Sequence, residues 1–527
     1  MKQNIFNIKL FVMLCACALS FISCVEENTF NKEKDNTGKS DIPTKLTSFV
    51  SGSTKTRASL DYAAEKWFWE NGDKIYVKDE DGNWQSGTVD EPHKENYTFM
   101  LSGRYLSTKN YTVYFPGHPI LKNDDPVTIH DIQGQIYPTK PYFSQRGNDF
   151  GIGTAKPQIP LGETKYNFYF TLRHPTSILV FEPTTSNPIL KNCTLTQIEA
   201  ISDNNICGTY TLDPTTYTLV GSGSGKTVKL RTPNAAFSPD GFPLNYPDMK
   251  VYMVIAPGTH KLTVRYQVRD VANNVEGIIT KTYPAFTYAA NSYYDMPVNL
   301  DIKDYSTTGY YMWDAQQNYW WGKEDQQPTI PPGPGAFQGP YPISKASDPQ
   351  RWYNESYPGN YIRNDAQTAH FKTLPNANEM AWYCVEGDPH WDKDQLWTTM
   401  GKLHKGGMWF KKKAKILADE HINATQMQSY HRDNGGNIVD FRTNRYSTGH
   451  NAIIGTPQNL TDYFFLPAST YYSTGILMDR MGVVGDYWSS SAVAYLPLTA
   501  YYMYFTSSSV VLAYTGRDFG FRVQPFE

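Results

Sequence analysis

Between Lys261 and Val268 the sequence alternates without a break. Leu262, Val264, Tyr266 and Val268 are apolar, while Lys261, Thr263, Arg265 and Gln267 are polar. A period of two sends the first set to one face of a strand and the second set to the other. The segment therefore predicts a half-buried strand that needs a second layer to cover its apolar face. Shorter runs of the same kind lie on either side. Asp73-Lys74-Ile75-Tyr76-Val77 follows the turn at Asn71-Gly72, and Tyr111-Thr112-Val113-Tyr114-Phe115 is stopped by Pro116. Phe170-Thr171-Leu172-Arg173-His174-Pro175 leads into Ile178-Leu179-Val180-Phe181, and Asn291-Ser292-Tyr293-Tyr294 opens a strand that ends before 302. With 39 Tyr and only 19% charged residues, the chain favours strands joined by turns and predicts a mainly β protein.

A length of 527 residues implies roughly two to four domains. Lys+Arg 48 against Asp+Glu 51 gives no basic surface of the kind a nucleic-acid partner needs. The run Lys411-Lys412-Lys413-Ala414-Lys415 is expected to be a solvated face. Near the amino end, Lys2 and Lys9 precede an apolar run from Leu10 to Ile22, which is too short for a stable bilayer span and fits a cleaved signal segment. Ser23-Cys24 closes it and resembles a bacterial lipoprotein box, in which Cys24 becomes the lipidated first residue; the alternative is an ordinary signal peptide with a chance cysteine. Glu26 and Glu27, after Val25, resemble the surface-export tag of Bacteroidetes lipoproteins. The resemblance implies an outer-membrane lipoprotein, held by acyl chains on Cys24.

Beyond the signal only Cys193, Cys207 and Cys384 remain, an odd number that gives no full disulfide framework. A hairpin turning near Asp203-Asn204 would oppose Cys207 to Ser202 or Ile201, so a Cys193–Cys207 bridge is not expected. Gly221-Ser222-Gly223-Ser224-Gly225-Lys226-Thr227 looks like a phosphate loop, but its spacing is wrong and no helix pattern follows, so a hairpin turn between strands at 216–219 and 228–230 is expected. No Gly-x-Ser-x-Gly elbow occurs. His390, Asp392 and Asp394 could bind a cation, though an exposed polar loop is the stronger expectation, and no metal or cofactor site is assigned. Asn376 followed by Glu379 three residues on predicts a capped helix start, with Met380, Tyr383 and Cys384 on one face. Cys384 is then a core thiol, and no catalytic role is expected.

Several stretches resemble the fimbrillin family, the subunits of type V pili of Bacteroidetes. They are Gly72-Asp73-Lys74-Ile75-Tyr76-Val77, the Tyr-x-x-Tyr-Phe-Pro segment at 111–116, Leu172-Arg173-His174, and Ala290-Asn291-Ser292-Tyr293-Tyr294. An unrelated pair of secreted sandwiches is the alternative that β patterning leaves open. The carboxy-terminal blocks Phe464-Phe465-Leu466-Pro467-Ala468, Gly485-Asp486-Tyr487-Trp488-Ser489-Ser490-Ser491 and Arg517-Asp518-Phe519-Gly520-Phe521-Arg522-Val523 resemble the FISUMP-type domain of the C-type-lectin-like group. Trp488 and Phe521 are expected in its core. Together the resemblances imply two fimbrillin-type (transthyretin-like) β-sandwich domains followed by an α+β C-type-lectin-like domain. The expected organisation is a signal peptide at 1–23, a tether at 24–45, sandwiches at 46–175 and 176–302, an aromatic then Pro/Gly-rich linker at 303–345, and a binding domain at 346–527.

The fimbrillin resemblance further implies proteolysis after an arginine, which frees an edge groove for a strand donated by the next pilus subunit. Arg57, before Ala58, lies in the right region, although an ordinary exposed arginine of a tether would look the same. A folded carboxy-terminal domain fits a pilus tip; an anchored surface lipoprotein or pilus anchor is the alternative, and after it an enzyme of the formylglycine-like group, which the lone Cys384 of this domain disfavours. The expected ligand, a host or microbial glycan or protein, would meet Tyr495, Leu496, Tyr501, Ser507, Ser509, Val511 and Tyr514, because Tyr and Ser together suit an adaptable binding face. Strand alternation would send part of this set inward.

Overall fold

The computed structural model describes residues 46–527 except 53–58, 62–65, 92, 117–125, 140–149, 234, 236–237, 330–338, 358–361 and 434. Cys24, Arg57 and Ala58 lie outside the described residues. Strand accounts for 45% and helix for 8%, so the protein is mainly β.

Aromatic strands build the first region. Tyr111, Val113 and Phe115 point inward from the strand Tyr111–Phe115, as their alternation predicts. The sheet runs in the order Trp84–Thr88, Lys74–Lys78, Tyr111–Phe115, Gly151–Gln158, Asn167–Phe170, Thr47–Ser51 and Thr98–Leu101. It folds over so that its first and last strands meet. A Cβ at Gly87 would lie 2.9 Å from that of Phe99, an approach that only glycine allows. Phe49, Trp69, Val77, Phe99 and Phe168 fill the space between the layers. The strand Thr47–Ser51 sits inside the sheet, parallel to Asn167–Phe170 and antiparallel to Thr98–Leu101. Phe49 is fully buried, its ring 4.9 Å from those of Phe168 and Tyr105.

Two strands within the span expected for the first sandwich belong to the second region. Val127–Ile129 pairs with Gly208–Asp213, and Ile132–Gly134 pairs with Thr227–Arg231. The reason is partly polar. Strand Val251–Ile255 is the edge of a three-stranded sheet with Ser177–Thr184 and Ser292–Asn299. Gln133 and Gln135 occupy its open side with their side chains. Gln133 accepts from the Val254 N–H at 2.9 Å and donates to the Val254 carbonyl at 2.7 Å. Gln135 accepts from Tyr252 N–H and donates to the Lys250 carbonyl, both at 2.8 Å. Two residues of period two thus complete a ladder that backbone would otherwise supply. The facing sheet runs Val275–Tyr288, Gly258–Asp270, Thr194–Ser202, Thr227–Arg231 and Ile132–Gly134. Leu262, Val264, Tyr266 and Val268 are fully buried between the layers, as the alternation predicts.

The hairpin expectations here are overturned. Thr218–Val220 pairs with Gly208–Asp213, whereas Thr227–Arg231 pairs with Thr194–Ser202, so Gly221–Lys226 crosses between sheets. Cys207 bridges to Gly225 and not to Ser202 or Ile201. Cys193, Cys207 and Cys384 are buried free thiols.

The third region combines two sheets with short helices. One sheet runs Ile453–Ile454, His390–Thr399, Lys402–Lys411 and Tyr463–Pro467. The other runs Tyr310–Tyr311, Phe521–Arg522, Gly485–Ala492, Thr499–Phe505, Ser509–Gly516 and Thr448–Asn451. The helix Ala377–Val385 begins with the predicted reciprocal cap: Asn376 and Glu379 each accept the other's backbone N–H at 3.0 Å. Its residues from Ala377 to Cys384 are buried on every side, not on one face only. The aromatic part of the expected linker is core. Tyr310, Met312, Trp313, Tyr319 and Trp320 are buried, with the Arg517 guanidinium 4.5 Å over Trp313 and that of Arg522 4.5 Å over Tyr310. Trp488 and Phe521 are core aromatics as expected, their rings 4.5 Å apart.

The second and third regions share packing. Leu396 and Leu403 belong to the second region's core. The Leu403 N–H donates to Asp270 at 3.3 Å, and Lys405 donates to the Glu276 carbonyl at 3.1 Å. His404 stacks on Trp397 at 4.9 Å, and its Nε2 is sealed from solvent without a partner. Burial, then Lys402 and Arg522, push its pKa down to about 4, against a Thr399 backbone bond and Asp270.

Two outcomes follow from these contacts. A pKa below the unfolded value means stability is whole above about pH 6.5 and is lost as pH falls toward about 4, by on the order of 2–3 kcal/mol. His404→Phe should flatten that fall in urea titrations across this range. Gln133→Leu should cost about 1–3 kcal/mol at neutral pH, because it leaves both polar groups of Val254 unpaired.

Candidate functional site

The expected binding residues do not converge. The hairpin of Thr499–Phe505 and Ser509–Gly516 pairs Thr499 with Gly516 at one end and Phe505 with Val510 at the other. Ser507 is in its exposed turn, while Tyr495 and Leu496 precede its far end, about 20 Å away at some 3.3 Å per residue. Tyr495 is 61% exposed, with a left-handed φ of 64° that a bulky residue adopts only under constraint. Leu496 packs in part against the core. Ser509 and Val511 are half-buried, and Tyr514 is 37% exposed. Tyr501 is corrected from the expected surface set: it is fully buried, because alternation turns 501, 503 and 505 inward. Its hydroxyl accepts from Tyr446 N–H at 3.1 Å and donates to the Asn444 carbonyl at 3.2 Å. It supports the loop before Thr448–Asn451 and meets no solvent.

The acidic segment at 388–394 is used internally. Asp392 accepts from the Asp394 and Gln395 N–H groups and from Thr456 and Trp409. Asp388 accepts from Tyr463. Among the described residues no group of three or more His, Cys, Asp or Glu could hold a metal ion. Cys384 is fully buried and its thiol pKa is pushed well up by burial, which disfavours the thiolate a nucleophile needs.

A polar cleft of about 460 Å³ opens at the start of the helix Ala377–Val385. Arg363, Lys372, Lys413 and Arg442 line it, with Asp365 and Glu379 as its carboxylates. Each element contributes for a local reason. Glu379 is buried and fully engaged, one oxygen on the helix cap and the other accepting from Lys413 at 2.6 Å. Arg363 pairs with Asp365 at 2.7 Å. Arg442 forks onto Asp440 through Nε at 2.9 Å and Nη2 at 2.8 Å. Asp440 holds its pKa above the ordinary value against burial, and Asp365 and Glu379 add to the field. Lys372 is exposed and has no ion pair among the described residues.

Little in the chain's order of residues points to this cleft, because its cations come from four separated segments. The one visible signal, the lysine run, is misleading. Lys411 and Lys415 pair with Asp419, Lys412 with Glu527 and Lys413 with Glu379, so only Lys413 reaches the cleft.

No family model matches the sequence, and no curated protein matches it as a relative. Solved structures with some likeness include a protein assigned to cell adhesion from Bacteroides ovatus, at 14% identity and TM-score 0.30, covering 49% of this chain and 93% of that one. Another is the fimbrial anchor protein Mfa2 from Porphyromonas gingivalis, at 10% identity and TM-score 0.22, covering 48% and 91%. A fimbrial assembly protein from Parabacteroides distasonis has 12% identity and TM-score 0.24, covering 48% and 90%. Likeness at this level carries no residue roles across.

The placement of the tyrosines has a direct test. Tyr501→Phe should cost about 1–3 kcal/mol in urea unfolding, since two backbone groups lose their partner. Tyr495→Ala should stay within about 0.5 kcal/mol of the parent.

Proposed function

We propose that this chain is a cell-surface adhesin of a type V pilus, acting as a tip subunit that accepts a strand from its neighbour. Its first two regions act as transthyretin-like sandwiches, and its third, C-type-lectin-like region binds a host or microbial ligand. One observation carries the reading. The strand Thr47–Ser51 lies on the amino side of Arg57 and is inserted between two strands of the first sheet. Cutting after Arg57 detaches it covalently from the rest of the sheet. Its departure opens a slot with ladder hydrogen bonds on both sides and a pocket for Phe49 against Phe168 and Tyr105. Such a slot suits an extended donor: backbone pairing supplies affinity and an alternating aromatic supplies register. The slot is internal to the sheet and not a free edge, so a donor gains two ladders where an edge would offer one.

The second reading is a permanently lipid-anchored surface protein or pilus anchor. In favour of it, the intact chain already satisfies its own slot, with Phe49 fully buried. In both readings Cys24 carries lipid at least in the precursor, the protein faces outward from the outer membrane, and the role is non-catalytic.

Mass spectrometry of purified fimbriae separates the two. A mature terminus at Ala58 that disappears in Arg57→Ala, together with loss of the chain from fimbriae, is the expected result. A lipidated Cys24 as the sole terminus would remove the tip reading and leave the anchored one.

A further inference from the structure

We propose that the cleft beside the helix Ala377–Val385 is the ligand site and that it takes an acidic saccharide, a sugar carrying a carboxylate or sulfate. The inference rests on the adhesin reading and specifies its ligand. Four cations and two carboxylates line the cavity, and Asp440 just behind the wall pairs with Arg442, so one positive charge, that of Lys372, is left without a counter-ion among the described residues. Arg442, clamped to Asp440 through Nε and Nη2, keeps Nη1 without a protein acceptor among the described residues. A guanidinium already fixed by one carboxylate loses little freedom when it binds a second anion, and such charge-assisted bonds are the stronger kind.

The rest of the wall fits a sugar better than a peptide. The Gln428 amide and the Ser490 hydroxyl line the cavity without hydrogen-bond partners of their own among the described residues. An amide and a hydroxyl can each donate to and accept from sugar hydroxyls. The lining offers few apolar side chains for a peptide to bury, and a cavity of about 460 Å³ suits a short oligosaccharide better than a folded epitope. Lys372 would meet the anion as a mobile point charge, and Arg442 would set its orientation.

The test uses the purified protein with trigalacturonate as carboxylate probe, a sulfated chondroitin oligosaccharide as sulfate probe, cellotriose as neutral control and tetraglutamate as acidic peptide. Calorimetry should find at least one acidic saccharide bound, with affinity falling as salt rises, and no binding of cellotriose. Lys372→Glu should weaken that binding about tenfold or more. Lys372→Gln should weaken it less, and neither change should alter thermal unfolding, since the side chain is exposed and unpaired. Binding of neither saccharide, equal binding by Lys372→Glu, or preferential binding of tetraglutamate would each overturn the inference. The adhesin reading is scored separately, by attachment of cells carrying the parent protein. Attachment that persists in Lys372→Glu cells and resists competition by both acidic saccharides sinks the cleft and leaves the adhesin standing; absence of attachment by the parent sinks the adhesin itself.

Discussion

Two buried guanidinium groups hold the third region together. Arg517 and Arg522 come from the final blocks of the chain, and each lies over an aromatic ring of the segment at 310–313. A buried cation is costly unless nearby groups replace its water. Arg517 donates to the carbonyls of Thr499, Asn354 and Ser356, and Arg522 donates to the Ser306 carbonyl and the Ser469 hydroxyl. Burial still pulls the Arg517 pKa down to about 10, which leaves it charged at neutral pH. The Nη2 atoms of both arginines lack a hydrogen-bond partner among the described residues, so the ring faces below carry part of the compensation. Backbone ties follow the same line. Trp313 donates from its main chain to Arg517 and from its indole to Ser489, while Trp488 donates its indole to Tyr311. The six-stranded sheet, the helix above it and the cleft at that helix's start all depend on this closure.

The first region solves a different problem with a similar economy of parts. Its inserted amino-terminal strand of five residues is held by two ladders, by the buried Phe49 ring and by the buried Ser51 hydroxyl, which accepts from the Trp69 indole and the Tyr97 N–H, both at 2.9 Å. Full burial of a phenylalanine contributes roughly 1.5–3 kcal/mol. The second region is tied differently, by the long antiparallel ladder of Gly258–Asp270 with Val275–Tyr288 and by the glutamine pair at the Val251–Ile255 edge.

Much of the β framework was legible because it rests on local periodicity. The strand Gly258–Asp270 follows from alternation, the start of the helix Ala377–Val385 from Asn376 and Glu379, and the core role of Trp488 from the family resemblance of its block at 485–491. What was not legible depends on long-range pairing. Nothing local tells that Val127–Ile129 leaves its neighbours in sequence for Gly208–Asp213, or that Gly221–Lys226 joins two sheets instead of turning a hairpin. Tyr501 looked like a surface tyrosine because Tyr is amphipathic; its hydroxyl has buried backbone to satisfy, which composition does not reveal. The cleft was the least legible feature of all. Its cations are set by the closure of distant loops, and the lysine run that attracts the eye is almost entirely neutralised by neighbours.

The excursion at 127–135 has a consequence for how such chains can be recombined. Sequence suggests a seam near 175, where one sandwich would end and the next begin. Val127, Ile129 and Phe150, however, sit in the second region's core, while strands on both sides of them in sequence, Tyr111–Phe115 and Gly151–Gln158, belong to the first sheet. The two regions are therefore interlaced, not strung in series. A chimaera cut at that seam would carry away the strand whose glutamines close the Val251–Ile255 edge, so the smallest inheritable block is the pair of regions together.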